Sequence, residues 1–271
     1  MVPSRAQIYN FDEVISNGLF PIRFPRAGQL TQDEEWCEVR IQGKWNRIRF
    51  HDYNEVYKIP GLYETIFYRT LRCNSPTKVC QLLSESLAEL MINPDRLRAL
   101  DLGAGNGMSG EALQNLGARK IIGIDIVPEA KEACLRDRPW VYDEYLVCDL
   151  AKAQIDKETD QFLSGYGFNT LLIVAALGFG DIPAEAFITA YNYIQSGGLL
   201  AFNIKEDFLK DSSGSTFSSL IQQMVQEDYL QLESYRRYQH RLSVTGTPLY
   251  YVAIVAQKLK DLPRGFKTKN S

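Results

Sequence analysis

The feature of this sequence that most constrains its fold is a short glycine-rich segment at residues 99–110. An apolar run there ends in an acid, Asp101. Three glycines follow it at alternate positions, and these are Gly103, Gly105 and Gly107. Glycine is needed where a strand turns sharply into a helix and the backbone approaches a ligand, because a Cβ would fill the ligand's space. The segment therefore predicts a strand, a tight turn and a helix that together bind a nucleotide-type cofactor.

The composition of the 271 residues is that of an ordinary globular protein, with 45% hydrophobic and 23% charged residues. The formal net charge is −3, so the chain as a whole does not attract a polyanion, and nucleic acid would need a local basic patch. No strong patch is visible, because the cations of the C-terminal part are interleaved with other residues, which is typical of solvated surface. We therefore do not expect nucleic acid among the partners.

The cysteines are scattered and form no C-x-x-C pair, and the chain has only two histidines to complete a metal site. The pattern predicts no metal, and it predicts reduced thiols in a cytoplasmic protein. No segment approaches the roughly 18 uninterrupted apolar residues of a transmembrane helix, so we expect no membrane partner. The five cysteines are Cys37, Cys73, Cys80, Cys134 and Cys148.

From residue 97 onward, short apolar runs alternate with helical stretches, a pattern typical of a mainly parallel sheet wrapped by helices. Two long strand-like runs, 230–240 and 248–258, follow and are separated by a short polar segment, which predicts an antiparallel hairpin. The other predicted strands are 97–102, 120–125, 144–148, 169–175 and 198–204. The predicted helices are 77–91, 108–117, 127–138, 183–196 and 214–228.

The first part of the chain has a different sequence pattern. We expect it to form an N-terminal cap over residues 1–74, followed by the main domain over residues 75–271. Two short strand-like runs, 39–41 and 47–50, flank a turn and predict a hairpin in the cap. Aromatic residues are dense here and predict a small hydrophobic core. The aromatic residues assigned to that core are Trp36, Trp45, Phe50 and Phe67.

The glycine segment fits two kinds of cofactor. The frame that starts at Gly105 satisfies G-x-G-x-x-G, and Asp125 follows Gly105 by 125 − 105 = 20 residues, as in a dinucleotide-binding fingerprint. The strand, however, ends near Asp101, before Gly103. A carboxylate at that point is unfavourable beside a pyrophosphate and favourable beside an ammonium group. The sequence therefore favours a cofactor with an ammonium group, and NAD(P) stays as the alternative.

Three segments in order resemble the motifs of the class I S-adenosylmethionine-dependent methyltransferases. Leu100–Gly107 is similar to the first motif of that family, Ile122–Pro128 to the second, and Leu146–Leu150 to the third. The resemblance covers residues 75–258. It implies an α/β fold with a Rossmann-like, seven-stranded, mainly parallel sheet, helices on both faces and a C-terminal antiparallel hairpin, with S-adenosyl-L-methionine as cofactor and S-adenosyl-L-homocysteine as product.

The resemblance also implies roles for individual residues. The glycine loop approaches the methionine moiety, Asp125 accepts hydrogen bonds from both ribose hydroxyls, and Asp149 contacts the adenine amino group. Two alternatives stay open: Asp125 caps the helix that begins near Pro128, and Asp149 begins a helix over 151–162. The cofactor-binding candidates are Asp101, Gly103, Ala104, Gly105, Gly107, Met108, Asp125, Ile126, Asp149, Leu150, Ala175, Tyr53 and Tyr57.

The segment 169–180 resembles the fourth motif of the family, where a strand end faces cofactor and acceptor together. It contains neither the Asn-Pro-Pro-Tyr or Asp-Pro-Pro-Tyr of the amino-methylating nucleic-acid enzymes nor the Pro-Cys of the cytosine-C5 type. Ala175, Ala176 and Gly178 leave room, and Phe179 offers an apolar wall. These features favour a small-molecule acceptor.

Methyl transfer from a sulfonium needs alignment more than it needs a catalytic group, and a base is required only if the acceptor must lose a proton. The segment from His51 to Tyr57 resembles the helix that folds over the donor in many of these enzymes. Tyr53 and Tyr57 share one helical face and either line the sulfonium or pack in the core. The catalytic candidates are His51, Tyr57 and His240.

Together these features predict an S-adenosylmethionine-dependent methyltransferase that acts on a small molecule. Three other functions stay open: an NAD(P)-binding oxidoreductase, a non-catalytic cofactor-binding module, and an enzyme whose acceptor is protein or RNA.

Overall fold

The computed structural model describes residues 20–25, 30–152, 154–177, 180–209, 216–263 and 265–266. The chain forms two compact units. The first unit contains Met1–Asn74 and Gln239–Leu249, and the second contains Ser75–Tyr238 and Tyr250–Ser271. The tip of the C-terminal hairpin thus belongs to the same unit as the N-terminal residues. None of the described helices is long and apolar enough to cross a membrane.

The described strands and helices are numbered in chain order. The strands are β1 (Ile22–Arg23), β2 (Trp36–Ile41), β3 (Lys44–Arg49), β4 (Arg98–Leu102), β5 (Lys120–Asp125), β6 (Glu144–Val147), β7 (Phe168–Leu177), β8 (Ile194–Lys205), β9 (Leu230–Leu242) and β10 (Pro248–Lys258). The helices are α1 (Tyr53–Lys58), α2 (Ser75–Glu89), α3 (Met108–Leu116), α4 (Pro128–Asp137), α5 (Lys157–Tyr166), α6 (Ala184–Tyr193) and α7 (Thr216–Gln226). Glu64–Thr70 forms a π-helix.

Seven strands form one sheet in the order β6-β5-β4-β7-β8-β10-β9. The strands from β6 to β8 are parallel, and β10 runs antiparallel to β8. The predicted mainly parallel sheet closed by a hairpin is therefore confirmed. Successive strands leave β4 in opposite directions, with β5 on one side and β7 on the other. This is the point at which open α/β sheets bind ligands, outside the carboxyl ends of the strands.

Alternate side chains of the sheet pack into two separate cores, so the predicted helices on both faces are confirmed. Leu100 of β4 packs on the face that also buries Leu163 of α5 and Phe187 of α6. Ala99, one residue earlier, packs on the opposite face with Leu83 of α2 and Leu113 of α3. This alternation follows from the two-residue period of a strand.

Several predicted boundaries differ from the structure, and those of two helices are informative. The predicted helix 183–196 is too long, because α6 ends at Tyr193 and β8 begins at Ile194. The buried Lys258 of β10 donates hydrogen bonds from Nζ to the carbonyl oxygens of Tyr191 and Ile194, and so satisfies groups that a longer helix would use. The predicted helix 151–162 begins later, at Lys157.

In the first unit, β1, β2 and β3 form a three-stranded antiparallel sheet. The predicted hairpin is confirmed, with a tight turn at Gln42 and Gly43, both of which have positive φ. Phe50 and Phe67 lie in the core of this unit, as predicted. The prediction that two tryptophans, Trp36 and Trp45, belong to that core is wrong, because both are partly exposed and absent from the described core clusters.

A buried ion pair ties the hairpin tip to the rest of the first unit. The side chains of Glu35 and Arg241 are only 1% and 3% exposed. Arg241 donates from Nη2 to Glu35 Oε2 (2.5 Å), and the amide of Val244 donates to Glu35 Oε1 (2.7 Å). Removing one partner of such a pair leaves the other charge buried and uncompensated.

We therefore expect Glu35→Gln to destabilise the first unit by about 3–5 kcal/mol. Guanidinium unfolding followed by tryptophan fluorescence measures this, since Trp36 and Trp45 both lie in this unit. The matched control is Glu85→Gln, because Glu85 pairs with Arg236 on the surface, and that variant should unfold like the original protein. Equal effects of the two substitutions would contradict the assignment.

Candidate functional site

The glycine loop connects β4 to α3 and is bound to the neighbouring strand. Gly103, Gly105 and Gly107 have φ values of +75°, +53° and +88°, in the left-handed region that glycine adopts without strain. The amides of Gly103 and Ala104 both donate to the carbonyl oxygen of Ile124, at 2.8 and 3.0 Å. The predicted strand, tight turn and helix are thus confirmed.

The physical reason for two of these glycines differs from the one we expected. A Cβ on Gly103 would lie 3.2 Å from Ala176 Cβ and from Ile182 Cδ1. A Cβ on Gly107 would lie 3.0 Å from Cys134 Sγ. Left-handed backbone and close packing against protein therefore require glycine at both positions, whereas the sequence predicted that a side chain would collide with a ligand.

Asp101, near the end of β4, carries a carboxylate that is completely buried. Its Oδ2 accepts hydrogen bonds from Ser109 Oγ (2.8 Å) and Tyr142 OH (2.7 Å). Its Oδ1 is buried and has no hydrogen-bond partner among the described residues. Burial raises the pKa of Asp101 to about 6, with a smaller contribution from the charge of Asp125, while the two hydrogen bonds oppose the shift. At neutral pH the group is therefore mostly an anion with one acceptor atom unsatisfied.

Asp125, the last residue of β5, is partly exposed and held by two backbone amides. Gly105 N donates to its Oδ2 and Val127 N to its Oδ1, both at 2.9 Å. Burial raises its pKa, and these amides oppose the shift. The N-cap of α4 is Val127, so the alternative that Asp125 caps this helix is wrong. Each carboxylate oxygen keeps acceptor capacity for a hydroxyl group. The next side chain, Ile126, is 57% exposed and offers an apolar surface beside the carboxylate.

Asp149 follows β6 and forms a local turn, in which its Oδ1 accepts from Ala151 N (3.0 Å). The alternative that Asp149 begins a helix is wrong, because α5 begins at Lys157 and is capped by Asp156. The neighbouring Leu150 is 2% exposed and packs in the core, so its backbone is what it can offer to a cofactor.

The end of β7 contains a strained residue, Ala175, with a φ of +57°. This conformation costs a residue other than glycine about 1–2 kcal/mol. Asn203 on the adjacent strand stabilises this backbone conformation, because its Oδ1 accepts a hydrogen bond from Ala175 N (2.6 Å). Such outliers persist where the surroundings fix them, and they are frequent at functional sites. Gly178 and Phe179, expected to shape the acceptor side, lie outside the described residues.

Asn203 is itself completely buried, and the sequence reasoning missed it. Its Nδ2 donates to Tyr238 OH (2.7 Å) and Ser75 Oγ (3.3 Å), and these two hydroxyls lie 2.7 Å from each other. The signal that could have found it is a single amide within the apolar run of β8, because a polar group there must have partners.

The structure brings most of the predicted cofactor residues to one edge of the sheet. Asp101, the glycine loop, Asp125 and Asp149 lie at or just beyond the carboxyl ends of β4, β5 and β6, and Ala175 lies at the end of β7. Met108, partly exposed, begins α3. Ala104 is buried and packs with Cys134 and Tyr145.

The remaining candidates belong to the first unit. Tyr53 and Tyr57 lie on α1 with stacked rings 6.2 Å apart, and Tyr57 is only 5% exposed. The ring of His51 lies edge-on to Tyr53, with the ring centres 5.7 Å apart. His240 is buried, and burial, together with the charge of Arg241, lowers its pKa well below the usual value, so its ring is neutral. The proposed roles of these four residues stay predictions.

The raised pKa of Asp101 gives a stability prediction. Because its folded pKa, about 6, exceeds its ordinary value of 3.8, the folded protein binds the proton more tightly, and stability falls as pH rises between these values. We expect Asp101→Asn to stabilise the protein by about 1–3 kcal/mol at pH 7.5 and to lose that advantage near pH 4. Urea unfolding at the two pH values measures it, and a pH-independent difference would contradict it.

The network around Ala175 gives a second prediction. Asn203→Leu keeps a branched side chain of similar length but removes the partner of the Ala175 amide and of two hydroxyls, and we expect a loss of about 2–4 kcal/mol in unfolding free energy. Tyr238→Phe, which keeps the contact between Asn203 and Ala175, should cost about 1 kcal/mol. Denaturant unfolding followed by circular dichroism compares the two, and equal losses would show that the Ala175 contact contributes nothing.

Comparison with known proteins shows likeness in fold. No protein-family model matches the sequence, and no curated protein matches it. Among solved structures, N-methyltransferase NodS from Bradyrhizobium japonicum, in complex with S-adenosyl-L-homocysteine, is 14% identical, with a TM-score of 0.51 over 78% of this chain and 98% of NodS. A SAM-dependent methyltransferase from Anabaena variabilis is 15% identical, with a TM-score of 0.50 over 78% and 96% of the two chains. A proposed RNA methyltransferase from Pyrococcus horikoshii is 12% identical, with a TM-score of 0.50 over 78% and 100%. The chain therefore has the fold of these methyltransferase structures.

Proposed function

We propose that this protein is an S-adenosylmethionine-dependent methyltransferase that acts on a small-molecule acceptor. The observation that carries the proposal is the buried carboxylate of Asp101, whose Oδ1 has no hydrogen-bond partner among the described residues. A buried anion with an unsatisfied oxygen beside a glycine loop is complementary to a cation, and the cofactor's ammonium group supplies one.

The other acids at the sheet edge fit the rest of the same cofactor. Asp125 is oriented by two backbone amides and can accept from the two ribose hydroxyls. The exposed Ile126 offers an apolar contact to the adenine, and Asp149 an acceptor for its amino group. The NAD(P) alternative fits less well, because a pyrophosphate at the glycine loop would lie close to the buried charge of Asp101.

The cofactor supplies an electrophilic methyl group on a sulfonium, whose leaving group is already activated. What remains for the chain is to bind, to orient and to exclude water. Asp101, held by Ser109 and Tyr142, would bind the ammonium end of the cofactor, and Asp125, held by Gly105 and Val127, would bind its ribose. Alignment of this kind can lower a reaction barrier by about 7–11 kcal/mol, so no base is required unless the acceptor must lose a proton.

The choice of a small-molecule acceptor is supported by the end of β7. Its Ala175 and Ala176 are small, and the segment lacks the Pro-Pro-Tyr and Pro-Cys motifs of nucleic-acid methylation. The fold is compatible with several acceptor classes, since NodS is an N-methyltransferase and the Pyrococcus protein is proposed to act on RNA.

Calorimetric titration with S-adenosyl-L-homocysteine and with NAD tests the cofactor. We expect binding of the first and none of the second, and we expect Asp125→Ala to weaken binding by about 1–3 kcal/mol through loss of a charged acceptor. Glu132→Gln is the matched control for charge, because Glu132 is exposed on α4. Binding of NAD alone, or unchanged affinity in Asp125→Ala, would overturn the assignment.

Incubation of the purified protein with a cell extract and methyl-labelled S-adenosylmethionine tests the acceptor. The proposal expects label in the fraction of small molecules. Label in protein or in RNA would refute the acceptor class, and cofactor binding without any labelled product would favour a non-catalytic module.

A further inference from the structure

The first unit presents a sheet face that is rich in arginine and tryptophan. Residues directly opposite each other on paired strands share a face, and Trp36 pairs with Arg49, Arg40 with Trp45, and Arg23 with Glu38. The other face carries Cys37, Val39 and Ile48, which are buried in the core. We call the outer set the arginine face, and its members are Arg23, Arg40, Arg47, Arg49, Trp36 and Trp45, together with the acid Glu38.

On this face two guanidinium groups stack on the two indole rings. The guanidinium carbon of Arg47 lies 4.0 Å from the ring centre of Trp36, and that of Arg23 lies 4.2 Å from the ring centre of Trp45. A guanidinium plane held on one side by an aromatic ring keeps its other side for a second planar group. Nucleic-acid bases stack on such arginine planes and on aromatic rings.

The arginine face is locally basic although the chain is acidic overall. Four arginines and one glutamate give 4 − 1 = +3 for the face, compared with −3 for the chain. Glu38 forms an ion pair with Arg23, and Arg49 lies 3.9 Å from Asp52. Within the part of the chain that the structure describes, the exposed Arg40 and Arg47 have no carboxylate partner. Two cations are therefore available to an external anion.

We propose that the arginine face binds single-stranded nucleic acid. Arg40 and Arg47 neutralise phosphates, and the stacked pairs on Trp36 and Trp45 receive bases. Because Arg40 pairs with Trp45, the two tryptophans lie four residues apart along the strands, about 13 Å, so a bound strand spans several nucleotides. An acidic peptide or an anionic membrane would satisfy the charges but would leave both stacks unused. The proposal concerns binding alone and holds whichever molecule accepts the methyl group.

Fluorescence anisotropy with labelled oligonucleotides of about 12 nucleotides tests the proposal on the full chain, without any methyl donor. Single-stranded RNA and single-stranded DNA of the same mixed sequence are titrated in parallel with duplex DNA. We expect tighter binding of single strands than of the duplex. Tighter binding of RNA or of DNA identifies which nucleic acid the arginine face prefers. Equal binding of both supports recognition of the phosphates and bases that they share. Duplex binding that equals or exceeds single-strand binding would overturn the role of stacking.

Variants compare the loss of two charges with the loss of one aromatic ring, and Arg47→Gln also removes the guanidinium group that stacks on Trp36. We expect the double variant Arg40→Gln/Arg47→Gln to bind single strands at least tenfold more weakly, and to reduce the slope of log affinity against log salt by about 1.4, or 0.7 for each lost phosphate contact. Arg119→Gln/Lys120→Gln is the matched control, since both residues are exposed and lie in the second unit. Trp45→Leu should weaken binding with little change in the salt slope, and thermal unfolding of each variant confirms that it is folded.

Three results would overturn the proposal. The first is the absence of binding to any single strand at low salt. The second is equal binding by the Arg40→Gln/Arg47→Gln variant and its control. The third is displacement of the oligonucleotide by polyglutamate, or by vesicles of phosphatidylserine, at an equal concentration of negative charge, since either would identify a general polyanion surface.

Discussion

The burial of one carboxylate, that of Asp101, organises the sheet edge of the second unit at which the candidate site lies. Its Oδ2 atom connects three parts of the unit. Asp101 is the penultimate residue of β4, Ser109 lies in α3, and Tyr142 precedes β6. Burial removes the Asp101 carboxylate from water, and this desolvation raises its pKa. A buried charge is a poor way to gain stability, and its remaining unsatisfied oxygen is more readily explained by a cationic ligand than by folding.

Most of the fold follows from local sequence patterns. Short apolar runs, alternating with helical stretches, predicted β4, β5 and β6 to within one residue at each end, and the glycine segment predicted the turn between β4 and α3. The failures occur where the decisive contact is distant in sequence. α6 ends where Lys258, more than sixty residues further on, satisfies its carbonyl groups, with sequence separations of 67 and 64 residues for the two bonds. No local pattern contains that information.

The candidate site was predictable to a similar extent. Its acids and glycines stand at strand ends, where their chemistry is visible from the sequence. The sequence did not identify Asn203, because its role depends on a hydrogen bond from Ala175, a strained residue 28 positions away. Trp36 and Trp45 were assigned to a core on hydrophobicity alone, whereas the two-residue period of β2 and β3 places them with arginines on the outer face. The same alternation in the sequence, Trp-x-Glu-x-Arg and Trp-x-Arg-x-Arg, was the signal for the arginine face.

The two hydroxyl partners of Asn203 lie at particular positions along the chain. The chain passes between the two units at three points, and Ser75 and Tyr238 are the residues of the second unit that border two of them. Both side chains accept hydrogen bonds from the amide group of Asn203 within the second unit. The opposite end of that side chain holds the left-handed backbone of Ala175. One planar amide group therefore links these two positions to the strand end that borders the glycine loop. Within the second unit, Asn203 thus connects two positions that border the first unit in sequence to the sheet edge of the candidate site.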